Sequence, residues 1–306
     1  MLSDYLRFAA RRFLPQPARL SIHRTLAYTR RVGRWPMILW QVRGVDWRDR
    51  ANLAGSALAA PLIALREPFS WQDPILLRDA RVEVRGIGRF QLRARCDDLW
   101  HVLPWRERAI CNALRAHLRP GDVFVDAGAN IGVYTVLASR LVSSGGRVVA
   151  IEMMPDTAAR LETHVKLNEL DNVTVLAQAV SDVAGLRVTA RVEPGKFGQA
   201  RIDLSAPRAG GGSRTSVREI EVETATLDDL VSGPGRVRML KMDLEGAELA
   251  ALRGATRLLE RVEIVIYERW SGAAQRHDPV GAFLAERGFQ GRRLDGNNWI
   301  ASRVNR

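Results

Sequence analysis

Gly121-Asp122-Val123-Phe124-Val125-Asp126-Ala127-Gly128-Ala129-Asn130-Ile131-Gly132-Val133-Tyr134-Thr135 is the stretch whose reading decides the fold. Val123, Phe124 and Val125 form a short β-rich run behind Pro120-Gly121, the pattern of a buried parallel strand. Asp126 closes the run. Gly128 and Gly132 then bracket a tight turn, where backbone without Cβ can bend and let a ligand come close. From Ile131 the apolar spacing becomes helical. Strand, glycine loop and helix in that order make the nucleotide-binding corner of an open α/β sheet.

The loop also limits which ligand it suits. A dinucleotide site carries G-x-G-x-x-G with a helix N-terminus facing the pyrophosphate. Here the pattern is D-x-G-x-N-x-G, with Asn130 in place of the middle glycine. Asp126 would set a carboxylate near phosphates, whereas an ammonium and a sulfonium would welcome it. The G-x-x-x-x-G-K-[ST] spacing of a P-loop is absent. Glu152 ends the second strand, 24 positions beyond Gly128, where an acid can accept both hydroxyls of a ribose.

A second informative stretch is Lys241-Met242-Asp243-Leu244-Glu245-Gly246-Ala247-Glu248. Strand periodicity puts Lys241, Asp243 and Glu245 on one side and Met242 and Leu244 on the other. Charges at the carboxyl end of a central strand belong in the ligand crevice of an open sheet. An internal Lys–Asp–Glu network that holds the turn is the other reading.

With "VDAGANIGVYT" and "KMDLEGAE", the chain resembles the FkbM family of class I S-adenosylmethionine-dependent methyltransferases. The resemblance spans residues 75–300 and is specific over 121–152 and 239–248. It implies an α/β, Rossmann-like, mostly parallel seven-stranded sheet with helices on both faces. It also implies S-adenosyl-L-methionine as cofactor, with Asp126, Gly128, Asn130, Gly132 and Glu152 around it. Either Asp182 or the backbone of Ala179 and Val180 would meet the adenine. The acceptor implied is a hydroxyl of a small molecule, sugar or glycan. Methyl transfer is an in-line displacement with the acceptor held about 3–3.5 Å from the methyl. A neutral hydroxyl also needs a base. Asp243 is the first choice, as that base or as a carboxylate that orients the cofactor, and Glu268 is the second. Lys241 is expected to face an acidic substrate group or to pair with Glu245. Glu107 either approaches the cofactor's methionine end or favours a helix N-terminus. His277 is a loop histidine, a base or a bystander, and His164 is expected at the surface. Asp243, Glu245 and Glu268 could hold one cation, but no dense cluster of ligands stands out and no metal is expected.

Composition sets the wider frame. Residues 1–120 hold 22 basic and 10 acidic residues, and 121–306 hold 24 of each, so the whole net charge of +12 lies ahead of the glycine loop. That asymmetry asks for an anionic partner: membrane surface, nucleic acid or acidic substrate. Residues 1–70 read as a basic, mainly helical N-terminal extension, with Leu2, Leu6, Ala9, Ala10 and Phe13 at helical spacing and Trp35, Trp40 and Trp47 for packing or interfacial anchoring. Residues 71–306 read as the methyltransferase domain: a β-hairpin and helix over 71–120, then the Rossmann-like core over 121–306. Cys96 and Cys111 show neither metal spacing nor a disulfide framework, which fits a cytoplasmic protein; the basic amphipathic pattern of residues 1–70 suits either peripheral membrane contact or a docking helix with solvated arginines. The first residues lack the apolar core of a signal peptide, and the longest uncharged run, Ala51 to Leu65, is too short to span a bilayer. Two rival readings remain. One is a nucleic-acid methyltransferase on the same fold, although no RNA-binding module is recognisable. The other is a non-catalytic binding or membrane-docking protein.

Overall fold

The computed structural model describes residues 28–29, 31–66, 73–202, 217–269 and 278–304. The expected amphipathic helix near the N-terminus, the glycine-rich segment at 207–213 and His277 lie outside them. The chain divides into two compact units. The first reaches to Arg85 and adds Phe90–Leu103. The second comprises Gly86–Arg89 and everything from Pro104.

In the first unit, helix α1 (Trp35–Gln41) leads to β1 (Val42–Gly44) and to the long helix α2 (Trp47–Arg66). Strands β2 (Ala80–Val84) and β3 (Gly88–Leu92) form the expected hairpin, in a sheet of order β1-β2-β3. Strict alternation of buried and exposed residues along β2 shows why this sheet has one apolar face. The short helix α3 (Asp98–His101) follows, and Arg93 grips both oxygens of Asp98, at 2.9 and 2.7 Å. Trp35 is buried, whereas Trp40 and Trp47 are exposed. Helix α2 buries Leu53, Ser56, Ala60 and Ala64 and turns Leu58, Leu62 and Leu65 outward.

The second unit opens with α4 (Arg108–His117) and then alternates: β4 (Val123–Ala127), α5 (Val133–Val142), β5 (Arg147–Ile151), α6 (Pro155–Leu167), β6 (Val173–Leu176). After β7 (Ala179–Val180), β8 (Arg187–Val192), β9 (Arg201–Ile202), β10 (Arg218–Ala225) and α7 (Leu227–Leu230), the alternation resumes. It runs through β11 (Val237–Met242), α8 (Glu248–Arg253), α9 (Thr256–Arg261), β12 (Val262–Glu268), α10 (Pro279–Ala285), β13 (Phe289–Asp295) and β14 (Asn298–Arg303). The central sheet has seven strands in the order β13-β14-β12-β11-β4-β5-β6. Pairings among β12, β11, β4, β5 and β6 are parallel, and β14 runs antiparallel to both its neighbours. This is the mostly parallel α/β sheet expected. From β4 the chain winds outward to β6, then returns to β11 on the other side of β4. The strand order reverses there, and open sheets bind ligands at the carboxyl ends beside such a switch.

Residues 186–192 and 219–223 do pair, antiparallel, but they build a second sheet of order β7-β10-β8-β9, inserted between β6 and β11. One helix expected over 248–260 is two. Gly254 separates them, because a Cβ there would stand 2.4 Å from the Ser181 carbonyl oxygen. Asp228 restarts the helix by accepting from the amides of Leu258 (2.7 Å) and Arg257 (3.1 Å). Both causes lie far away in sequence. His164, expected at the surface, is fully buried and donates Nδ1–H to the Ile131 carbonyl at 2.7 Å. It thereby fixes α6 against the glycine loop.

Candidate active site

Two segments meet at the carboxyl ends of β4 and β11. Gly128 has φ +77°, and a Cβ on it would lie 1.9 Å from the Asp243 carbonyl oxygen. The glycine is there so that the two motifs can abut. Asp243 N–H donates to the Ala127 carbonyl at 3.0 Å, which ends the β11 ladder. Asn130 also sits at positive φ, +50°, and its N–H donates to Glu152 Oε2 at 2.8 Å. Glu152 Oε1 accepts from Met154 N–H at 2.9 Å. The carboxylate that ends β5 thus clamps the loop after β4. Burial pushes its pKa up, and those two amides oppose the shift. Gly132, φ +87°, leaves room for Leu161 of α6, whose Cδ1 would lie 2.1 Å from a Cβ.

Lys241 is the register partner of Asp126 on the adjoining parallel strand, so their side chains share one face. Both are buried, with Lys241 Nζ 3.3 Å from Asp126 Oδ1 and 3.8 Å from Asp243 Oδ2. Lys241 also donates to the Gly128 carbonyl at 3.3 Å and lies 5.0 Å from the centre of the Tyr134 ring. Thr135 Oγ1–H donates to Asp126 Oδ2 at 2.8 Å. Burial alone would lower the pKa of Lys241, but Asp126, Asp243 and Glu107 outweigh it and hold the ammonium above its ordinary value. The expected pairing of Lys241 with Glu245 is corrected, since its partners are Asp126 and Asp243. Its side chain is buried on the same sheet face as that of its register partner Asp126 and finds that carboxylate instead. Asp126, in turn, has its carboxylate engaged inside the protein by Lys241 and Thr135.

Beyond Met242 the strand periodicity fails. Glu245 and Gly246 both take positive φ, +52° and +108°. Glu248 Oε1 accepts from Leu244 N–H at 3.0 Å and Gly246 N–H at 3.3 Å, which holds the turn. Glu245 is paired at 3.4 Å with Arg201 of the inserted sheet. Burial and then the repulsion of Asp243 raise its pKa to about 7. Glu268, at the end of β12, is raised by burial and by Asp243, while Asn297 at 3.5 Å opposes this. Asp243 itself keeps a side chain 31% exposed.

Two further side chains in this group, Tyr134 and Arg106, escaped the sequence reading. Tyr134 O–H donates to Glu107 Oε2, and Arg106 donates to Glu107 Oε1 at 2.8 Å. Burial, reinforced by Glu107, pushes the Tyr134 hydroxyl well above its usual range, so it stays a neutral donor. Glu107 stands at the N-cap of α4 without a side-chain capping bond, its carboxylate held instead by Tyr134 and Arg106. Nothing in the local pattern of Tyr134 marked it, because its partner lies 27 residues earlier. Asp182 is on the exposed turn into β8. It accepts from Ser181 Oγ–H at 3.1 Å, and its Cα lies beside Gly254 at the junction of α8 and α9.

Burial first, and then the nearby Asp243 carboxylate, raises the pKa values of Glu245 and Glu268, so negative charge is crowded at this end of the sheet. A phosphate would worsen that repulsion, and a cationic ligand relieves it. The donor set therefore fits a sulfonium- and ammonium-bearing cofactor. Among the described residues, three ligand atoms close enough to share a metal ion occur in Cys96, Asp97 and Asp98, not in this group. Arg93 and His101 occupy those two aspartates.

The model of the methyltransferase FkbM domain matches residues 126–290. The chain belongs to the FkbM methyltransferase family. S-adenosylmethionine is the methyl donor that goes with this membership. Hexuronic acid methyltransferase AglP of Haloferax volcanii is 29% identical over 231 residues, covering 74% of this chain and 81% of its own. Methyltransferase sdnD of Sordaria araneosa is 28% identical, covering 57% of this chain and 76% of its own. Among solved structures, an FkbM methyltransferase of Methylobacillus flagellatus is 18% identical with a TM-score of 0.41, covering 67% of this chain and 53% of its own.

Proposed function

We propose that this FkbM-family methyltransferase methylates a hydroxyl group on a sugar or other small molecule. The observation that carries the reading is Asp243: a partly exposed carboxylate at the carboxyl end of β11, beside the glycine loop and steadied by buried Lys241. Similarity to a hexuronic acid methyltransferase supports a sugar acceptor. Bound S-adenosylmethionine supplies an activated methyl group. Glu152 and the Gly128–Gly132 loop would hold it, with Glu152 accepting from the ribose hydroxyls through lone pairs its two backbone amides leave unused. Asp243 takes the proton as the acceptor oxygen bonds to carbon, and Glu268 is the second candidate for that role. Lys241 keeps the Asp243 carboxylate in place without spending its own charge on the ligand. Asp182 remains the candidate for the adenine edge.

The test is calorimetry of the full chain with S-adenosylhomocysteine, followed by mass spectrometry of candidate acceptors for the gain of one methyl group. A folded chain that binds no S-adenosylhomocysteine removes the reading. For the first unit, we propose contact with an anionic membrane surface. The exposed row of Leu58, Leu62 and Leu65 and the basic excess of residues 1–120 support it. No described helix is long and apolar enough to cross a membrane.

A further inference from the structure

The inserted sheet carries a cavity of about 440 Å³. Small-molecule sites occupy roughly 300–1,000 Å³. Its wall includes Arg191, Lys196 and Arg201, one carboxylate, Glu193, and the apolar side chains of Ile202 and Val217. Cations outnumber anions in the wall. Each of the three already has a partner: Arg191 pairs with Glu219 at 2.9 Å, Lys196 with Glu193, and Arg201 with Glu245 at 3.4 Å. The Arg191 and Lys196 pairs are exposed at both ends, where solvent weakens them, whereas the Arg201 partner Glu245 is only 17% exposed. An entering carboxylate can recruit these donors at little cost, and arginine offers it two parallel N–H bonds.

Position matters as much as charge. Arg201 lines the cavity and touches Glu245, so the cavity wall continues into the acidic group around Asp243. The sheet is anchored beside the cofactor strand. Met154, two residues past Glu152, is buried in one cluster with Ala179, Ala190, Val192, Ala200 and Val222. Arg218 of β10 also pairs with Asp156 at the start of α6, at 2.6 Å. A basic cavity therefore adjoins an acidic catalytic end. That separation of charge would orient an acidic acceptor in one sense only, with its anion at the arginines and a neutral hydroxyl at Asp243.

We propose that this cavity binds a carboxylate of the methyl acceptor through Arg191, Lys196 and Arg201, so that the substrates are acidic sugars. The assignment rests on the methyl-transfer reading above. It is tested with the full chain saturated with S-adenosylhomocysteine, by titrating glucuronate and galacturonate against methyl glucoside and methyl galactoside. At least one uronate binds roughly tenfold or more tighter than its neutral counterpart. Arg191→Gln and Lys196→Gln each weaken that uronate by a similar factor and leave the neutral sugars and S-adenosylhomocysteine unchanged. If S-adenosylhomocysteine binds but no uronate is preferred, or the preference survives both substitutions, the cavity assignment is overturned and methyl transfer stands. If a folded chain binds no S-adenosylhomocysteine, the methyl-transfer reading falls first and takes this one with it.

Discussion

Glu245 holds a left-handed backbone conformation that favours glycine, and its carboxyl is raised from 4.5 to about 7 by burial and by Asp243. Between those two values the folded chain binds a proton that the unfolded chain has released. Stability therefore falls as pH rises through that window, and the loss is complete above it. Glu245→Gln removes this titration. Relative to the parent it should gain stability from about pH 4 to about pH 8, by no more than about 3 kcal/mol because part of the carboxyl is wet. Denaturant melts at the two ends check it, and parallel pH profiles for parent and variant would refute it. Asp243→Asn keeps the Lys241–Asp126 pair and the fold. It should lower kcat by a factor of about 10²–10⁴ with little change in S-adenosylhomocysteine affinity. An unchanged single-turnover rate would strip Asp243 of the base role. Lys241→Met strands Asp126 as a buried charge and should cost roughly 3–5 kcal/mol. Adding Asp126→Asn should restore much of that, as a double-mutant cycle in urea would show.

At the scale of elements, the site depends on how closely the loop after β4 approaches the loop after β11. Gly128→Ala forces a Cβ to within 1.9 Å of the Asp243 carbonyl, at a φ that L residues rarely adopt. Backbone cannot yield as a side-chain tip can, so the two loops must part. We expect lost S-adenosylhomocysteine binding with the secondary structure largely kept, read by calorimetry and far-ultraviolet circular dichroism on the same sample. Tight binding by the variant would mean the loops do not meet in solution as described. The break between α8 and α9 has the same kind of origin, since Gly254 makes room for Ser181 and Asp228 caps the new helix. A window of sequence around 248–260 shows uninterrupted helical spacing, because neither neighbour lies within it.

The whole chain separates its charge, with the basic excess ahead of residue 121 and a balanced remainder that builds the catalytic sheet. The exposed leucines of α2 add an apolar contact to that charge. Full-length protein should co-sediment with vesicles rich in anionic lipid and release as salt rises from about 0.1 to 1 M, where the screening length falls to roughly 3 Å. Equal sedimentation with neutral vesicles would count against an electrostatic contact.

The order of strands and helices, the glycine loop and the acids at the strand ends were legible in the chain itself. Local backbone chemistry and apolar periodicity write them over short windows. Three features were not: the burial of Lys241 against Asp126, the recruitment of Tyr134 and Arg106 by Glu107, and the gathering of β7 to β10 into a second sheet. Each depends on which strand lies beside which, and that is settled only when distant segments pack and buried charges must find partners.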